Sequence, residues 1–215
     1  MINTFYALFG DLTPKELAVV EQFVGHILGD GTVYKSKNGD VGVSFAQSGK
    51  HQAYFDHTLN ELRAGQFLDI NTSTRSFTDK RYPGVVYSSS SWRTKTNPKL
   101  RPFADLFMLE GAKVIPACLH LALTDRALAY WIMDDGSPVT RGGITLCTDH
   151  FLDIELDHAV KALQLNYGFD CTIHQKTGKN GNIYKRIYIS RESFMAKRHL
   201  IAPYVIPSML YKLHL

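Results

Sequence analysis

The chain has 215 residues, 45% of them hydrophobic, with 24 Lys and Arg against 20 Asp and Glu, for a formal charge of +4. That composition supports a real core and excludes a disordered chain; the small basic excess permits nucleic-acid binding without establishing it, because the placement of charge matters more than its sum. Three scattered cysteines (Cys118, Cys147, Cys171) with no CxxC pair exclude a disulfide framework and a zinc module and read as reduced thiols, and no apolar run approaches the length of a membrane span.

The first helix opens at Thr13-Pro14, with Thr13 as N-cap, Pro14 at the first helical position and Glu16 three residues after the cap. Its apolar stripe, Leu17, Val20, Phe23, Val24, Ile27 and Leu28, keeps helical spacing and should stop near Gly29 or Gly31. Strands follow at about Thr32–Ser36 and Val41–Gln47, joined by Lys37-Asn38-Gly39-Asp40, where Asn-Gly is a strong hairpin signal. His51–Arg63 reads as a helix. Asp69–Phe77 and Gly84–Ser91 read as a second hairpin around Asp79-Lys80-Arg81-Tyr82-Pro83, and Arg101–Leu109 as a short helix. The order then repeats. Thr124 caps a helix through Asp134, Arg141–Thr148 is a strand, and Asp153–Asn166 is a helix ending at Gly168. Phe169–Gln175 and Ile183–Ser190 form a hairpin with its tip at Thr177–Gly181, and Arg191–Leu200 is a final helix.

Sequence echoes support a duplication. Tyr54-Phe55-Asp56-His57 matches Glu155-Leu156-Asp157-His158 in pattern, and Val114-Ile115-Pro116 recurs as Val205-Ile206-Pro207. Above all, Phe23-Val24-Gly25-His26-Ile27-Leu28-Gly29-Asp30-Gly31 and Leu128-Ala129-Tyr130-Trp131-Ile132-Met133-Asp134-Asp135-Gly136 are both apolar helical runs that stop at an acid followed by Gly. A duplicated helix of this kind brings two acids together on a pseudo-twofold axis. Two nearby carboxylates need a reason not to repel, and a divalent metal is the usual one. That arrangement suits phosphodiester hydrolysis.

Both segments resemble the LAGLIDADG signature of homing endonucleases, and the second has the form found in single-chain, two-motif, intron-encoded members of that family. The resemblance runs from about Phe23 to Lys212. It implies an α+β fold of two αββαββα halves forming a saddle, 1–118 and 119–215, with the signature helices at the central interface and antiparallel sheets facing DNA. Gly25 and Gly29, four apart, can share a close-packed face, while Tyr130 stands where the family signature has glycine; the interface is expected to carry bulk on one helix and glycine on the other.

By the same resemblance Asp30 and Asp135 are the metal ligands, with the backbone carbonyls of Gly29 and Asp134 beside them. The Asp134 side chain lies about 100° around the helix from that of Asp135 and cannot do the same job. Lys113 and Lys212 match positions of active-site lysines, which neutralise developing charge or hold a water. Gln47 and Thr148, near strand ends, order the water around them. The implied cofactor is Mg2+, with Mn2+ substituting and Ca2+ binding without supporting cleavage. His26 is an interface or half-buried residue, and His57 and His158 are structural residues on helix backs.

Family resemblance also puts each sheet in the major groove, where Arg and Lys read guanine, Asn and Gln read adenine, and the rest hold phosphate. The candidates are Lys35, Lys37, Arg75, Lys80, Arg81, Tyr82, Tyr87, Arg93 and Lys95, with the serines 88–91, in the first half. In the second they are Arg141, His174, Lys176, Lys179, Asn182, Lys185, Arg186 and Tyr188. The implied activity is site-specific double-strand cleavage of DNA across the minor groove by a monomer, leaving short 3′ overhangs. The rivals are an intron RNA maturase, with the chain's own intron RNA as partner, and a catalytically silent DNA-binding protein of the same fold. The N-terminus shows no secretory signal and no Arg-rich transit peptide, so the expectation is a mitochondrial or chloroplast protein encoded within the organelle, or otherwise a microbial cytoplasmic one. No splicing block suggests an intein.

Overall fold

The computed structural model describes residues 5–66, 68–178 and 181–215. In chain order the elements are α1 (Pro14–Leu28), β1 (Thr32–Lys35), β2 (Val41–Ser48), α2 (Gln52–Gly65), β3 (Ile70–Thr78), β4 (Val86–Thr94), α3 (Arg101–Phe107), β5 (Met108–Leu109) and β6 (Ala112–Lys113). The second half follows with α4 (Asp125–Asp135), β7 (Gly136–Pro138), β8 (Ile144–Leu146), α5 (Asp153–Tyr167), β9 (Cys171–Thr177), β10 (Ile183–Ile189) and α6 (Arg191–Ile201). The two large antiparallel sheets share one topology, β1-β2-β4-β3 and β7-β8-β10-β9. The duplication read from the sequence is thus a duplication of structure.

Local chemistry sets the boundaries. α1 begins with a complete capping box: the Glu16 N–H donates to Thr13 Oγ1 (3.3 Å) and the Thr13 N–H donates to Glu16 Oε2 (2.9 Å). Thr124 caps α4 by accepting from the Ala127 N–H (3.2 Å). The β1–β2 turn uses Gly39 at φ 82°, where glycine carries no steric cost. Gly168 ends α5 at φ 65° with its N–H bonded to the Gln164 carbonyl.

Two expectations need correction. Arg141–Thr148 is not one strand. Gly142 and Gly143 take φ of 92° and 80°, which breaks the extended run, so β8 begins only at Ile144 and pairs with the three-residue β7. The helix expected through Leu109 stops at Phe107, and Met108–Leu109 turns back through Glu110-Gly111 to pair with Ala112–Lys113. That small hairpin delivers Lys113 to the centre of the molecule.

The core is continuous across both halves and is centred on α1 against α4, where Phe23, Val24, Ile27, Leu128, Tyr130, Trp131 and Ile132 are all fully buried. A Cβ on Gly25 would stand 2.4 Å from the Ala127 carbonyl oxygen and 2.5 Å from Tyr130 Cβ, and one on Gly29 would stand 2.5 Å from Asp134 Cβ. Glycine on α1 therefore faces bulk on α4, as the sequence suggests.

Candidate active site at the paired helix ends

Side by side, α1 and α4 end at the same level, and each runs into the first strand of its own sheet. Asp30 lies two residues past the end of α1, and Asp135 is the last residue of α4. Burial, followed by the charge of Asp134, pushes the Asp30 carboxyl up to about 6, against the Gln47 hydrogen bond and the charge of Lys113. Burial again, then Asp134 and Asp30, pushes the Asp135 carboxyl up to about 7, opposed by Lys113 and Lys212. Three carboxylates thus crowd one place, and the two at the motif acid positions resist ionising. The outer edge of Asp30 remains open to solvent, so the pair is available to an approaching ligand.

Gln47 Nε2 donates to Asp30 Oδ2 at 2.6 Å, as expected of a residue beside the acid. By strand register Thr148 corresponds to Gln47, since Thr32 pairs with Ser44 in one sheet and Gly136 with Leu146 in the other. Thr148 is buried, however, and its hydroxyl donates to the Lys185 carbonyl (2.8 Å). The hydroxyl proton is thus committed to β10, and only the oxygen's lone pairs are left for a water near Asp135.

Both lysines reach the helix ends. Lys113 Nζ donates to the carbonyls of Gly29 (2.6 Å) and Gly31 (3.3 Å), and Lys212 Nζ donates to those of Ile132 (3.1 Å) and Met133. Each amine thus sits at the negative end of a helix dipole, Lys113 on carbonyls just past α1 and Lys212 on the last turn of α4, where the Ile132 carbonyl also accepts from the Gly136 N–H. Burial holds both amines below the ordinary lysine range, against the pull of the three aspartates. The Gly29 carbonyl therefore keeps one lone pair for another partner.

The Asp134 side chain turns into the protein. Its Oδ2 accepts from His26 Nδ1 (2.9 Å) and from the Asp30 N–H (3.2 Å), and its Oδ1 accepts from the Tyr54 hydroxyl (2.6 Å). His26 is fully buried rather than half-buried. His57 faces Tyr130 Oη at 3.0 Å, and His158 Nδ1 meets the Ile115 carbonyl at 2.9 Å, so both are structural. Tyr54 was not legible from the sequence as a site neighbour; it sits on α2, and only the packing of α2 against α1 brings it there.

Strand register sorts the nucleic-acid candidates. Residues alternate between faces, and on the face away from the first half's core lie Arg93, Arg75 and Tyr87, beside Ser44, Ser89 and Ser91. The Arg93 guanidinium stacks on the Tyr34 ring at 3.6 Å, and a groove of about 240 Å³ joins Asp30 to Ser44, Ser91 and Arg93. The acid thus opens onto that face. In the second half, Tyr188, Arg186, His174 and Lys176 share the corresponding face. Lys176 and Arg75 hold matching register positions.

Other candidates fall elsewhere. Lys35 has the parity of Val33 and Val43, opposite to Arg93. Lys185 has the core-side parity and pairs with Asp153 of α5 at 2.6 Å, so it does not belong to the open face. Arg186, although on the open face, is held by both oxygens of Asp149, while Arg81 is held by Asp79 and Lys95 by Asp69. Lys37, Lys80, Tyr82, Arg141 and Asn182 are exposed in turns and tips, and Lys179 lies outside the described residues.

Among the described residues no group of three or more His, Cys, Asp or Glu is arranged to hold a metal ion, and no helix is long and apolar enough to cross a membrane. The donor set at the helix ends is instead two carboxylates beside backbone carbonyls, all hard oxygen donors. That suits a divalent cation that keeps several of its waters.

Comparison with known proteins agrees with this architecture. The LAGLIDADG DNA endonuclease family matches residues 20–196. The DNA endonuclease I-ChuI of Chlamydomonas applanata is 30% identical over 87% of this chain and 90% of its own. The cytochrome b mRNA maturase bI2 of Debaryomyces hansenii is 29% identical over 93% of this chain and 75% of its own. The structure of the homing endonuclease I-WcaI bound to its DNA recognition sequence superimposes with a TM-score of 0.78 at 26% identity, covering 94% of this chain and 88% of that one. Duplicated halves, paired helices ending in acids and the match over most of the sequence lead to one conclusion: the chain belongs to the LAGLIDADG DNA endonuclease family.

Proposed function

We propose that the protein is a monomeric, site-specific double-strand DNA endonuclease. The observation that carries this reading is the meeting of Asp30 and Asp135 at the abutting ends of α1 and α4, both pushed toward neutrality by burial and by each other's neighbourhood. Such a pair gains most from a cation that restores its charge balance. In this reading Asp30 and Asp135, with the carbonyls of Gly29 and Asp134, hold Mg2+, which on binding activates water and stabilises the leaving oxygen. Mn2+ substitutes, and Ca2+ binds without supporting cleavage. Gln47 fixes the Asp30 carboxylate. Lys113 and Lys212 keep the helix ends closed and add positive charge where phosphate oxygens approach.

The open faces of the two sheets then meet the major grooves of the two half-sites, with Arg93, Arg75, Tyr188 and Lys176 toward the bases or their phosphates. Cleavage falls across the intervening minor groove and leaves short 3′ overhangs. The halves divide at 118/119, each with its own sheet and signature helix. The gene's setting in this reading is an organellar intron, mitochondrial or chloroplast. A second reading, an intron RNA maturase, is favoured by one observation: the relative of that name is as similar as the endonuclease. The two readings are compatible, since the acids of this chain serve cleavage and leave its sheets free to bind RNA.

The test is cleavage of a pool of long random duplexes with Mg2+ and with EDTA, using Asp135→Asn as control. Recovery of one cut sequence, dependent on metal and on Asp135, is expected. Duplex binding without cleavage by the wild-type chain would overturn the enzymatic reading.

A further inference from the structure

Asp134 is a buried carboxylate that the proposed chemistry does not use. Its side chain has 0% exposure, and a charge is buried only at great cost unless it is fully hydrogen-bonded. Three donors meet that need: His26 Nδ1, the Tyr54 hydroxyl and the backbone N–H of Asp30. The histidine's tautomer follows from its other neighbour. Gln22 Nε2 lies 3.1 Å from the Thr58 carbonyl and 3.2 Å from His26 Nε2. Turning that amide over would set oxygen against the Thr58 carbonyl, so the amide NH2 faces both acceptors. His26 Nε2 therefore accepts, and Nδ1 carries the proton given to Asp134.

The reason Asp30 needs this partner lies in how α1 ends. The Gly29 N–H bonds the Gly25 carbonyl in the helical pattern, but the Gly31 N–H takes the His26 carbonyl (2.6 Å), which is the acceptor Asp30 would use in a continuing helix. The Asp30 N–H is displaced from the ladder, and Asp134 receives it from across the helix interface. Asp135, by contrast, is still inside α4. The residue matching Asp134 in the first half is Gly29, and its missing Cβ is what makes room: a Cβ there would stand 2.7 Å from Asp134 Oδ2. The device has no counterpart on the other side of the pseudo-twofold axis.

We propose that Asp134, held by His26 and Tyr54, is a positioning residue for Asp30 alone, so that the two cutting centres are unequal in how firmly their acids are fixed. This rests on the endonuclease reading for its consequence but not for its geometry. The experiment uses Asp134→Leu, which keeps about the size of the side chain and removes both acceptor oxygens, since an asparagine amide oxygen would still accept from the Asp30 N–H. It also uses Tyr54→Phe, which removes one donor and preserves the ring. In the metal-free protein, hydrogen exchange at the Asp30 amide should quicken at least tenfold in Asp134→Leu, with the amides of Phe23 and Val24 unchanged. Unaltered exchange at Asp30 overturns the proposal.

On a supercoiled plasmid carrying the recovered site, Asp134→Leu should slow one strand at least tenfold relative to the other. Nicked circles then accumulate with every nick in the same strand, and Tyr54→Phe shows the same bias more weakly. A merely structural role slows both strands equally, and that outcome also overturns the proposal. If Asp134→Leu does not fold, Tyr54→Phe decides by the same two measurements. If the wild-type chain cuts no duplex, the enzymatic reading fails and amide exchange alone decides the positioning.

Discussion

Replacing Gly25 by Ala sets two magnitudes against each other. Within a helix, alanine is favoured over glycine by about 1 kcal/mol, so on propensity alone the variant gains stability. The interface says otherwise. The new methyl would stand 2.4 Å from the Ala127 carbonyl oxygen, 2.5 Å from Tyr130 Cβ and 3.0 Å from the Trp131 nitrogen, whereas ordinary contact begins at 3.4 Å. None of these is the far end of a flexible side chain, so α1 and α4 must separate by about 1 Å through a close-packed core. Overpacking of that kind costs about 3 kcal/mol at the upper end of its usual range, which leaves a net loss of about 2 kcal/mol. For a domain of this size that is a fall in Tm of about 4–8 °C, checked by urea unfolding of wild type and variant under reversible conditions. Because the helices carry Asp30 and Asp135 on their ends, cleavage should fall more than DNA binding does. A variant as stable as wild type, with full activity, would refute the close-approach argument.

Further expectations concern charge. The raised carboxyls of Asp30 and Asp135 mean that the metal-free fold holds protons that the unfolded chain releases. Stability should therefore decline from about pH 4 to pH 7 and level off above. Asp135→Asn should accordingly raise Tm at pH 8 and lose that advantage at pH 4; an equal gain at both would remove the burial and repulsion on which the site rests. On the sheets, Arg93→Ala should weaken duplex binding and flatten its salt dependence. Lys185→Ala, whose amine pairs with Asp153 at 2.6 Å, should leave affinity within about twofold and change stability by less than about 1 kcal/mol. Titration of binding at two salt concentrations separates the two; equal losses would mean that strand parity does not sort DNA contacts.

What could be read from the sequence was whatever local chemistry determines. Thr13, Pro14 and Glu16 announce the capping box, Asn38-Gly39 the first hairpin, and Gly168 the end of α5, because each acts through its own backbone neighbours. The acids Asp30 and Asp135 were legible for a different reason: the motif repeats. What escaped is tertiary. A three-residue strand made of Gly136-Ser137-Pro138 carries no strand periodicity and exists only because β8 pairs with it. The hairpin that delivers Lys113 is two residues a side. Lys185 and Arg186 are adjacent and both basic, and only the register shows that they leave opposite faces of β10.

The same limit explains Asp134. In sequence it is the neighbour of the acid that matters, and the helical step alone shows only that its side chain points elsewhere. Its partners lie 80, 104 and 108 residues away, on α2, just past α1 and on α1 itself. Two of the substitutions that separate the two signatures have their complement on the other helix. Tyr130 occupies the space that Gly25 leaves, and Asp134 the space that Gly29 leaves. A symmetric pair of glycine-rich helices would pack with two equal gaps, whereas this pair fills each gap from one side. The cost of that packing is a buried carboxylate at the centre. What it yields is a hydrogen bond to the one backbone N–H that the end of α1 leaves without a helical acceptor. Divergence of the two halves has thus placed a structural acid between the two motif acids, and the packing of the core and the hydrogen bonding of the Asp30 N–H depend on the same side chain.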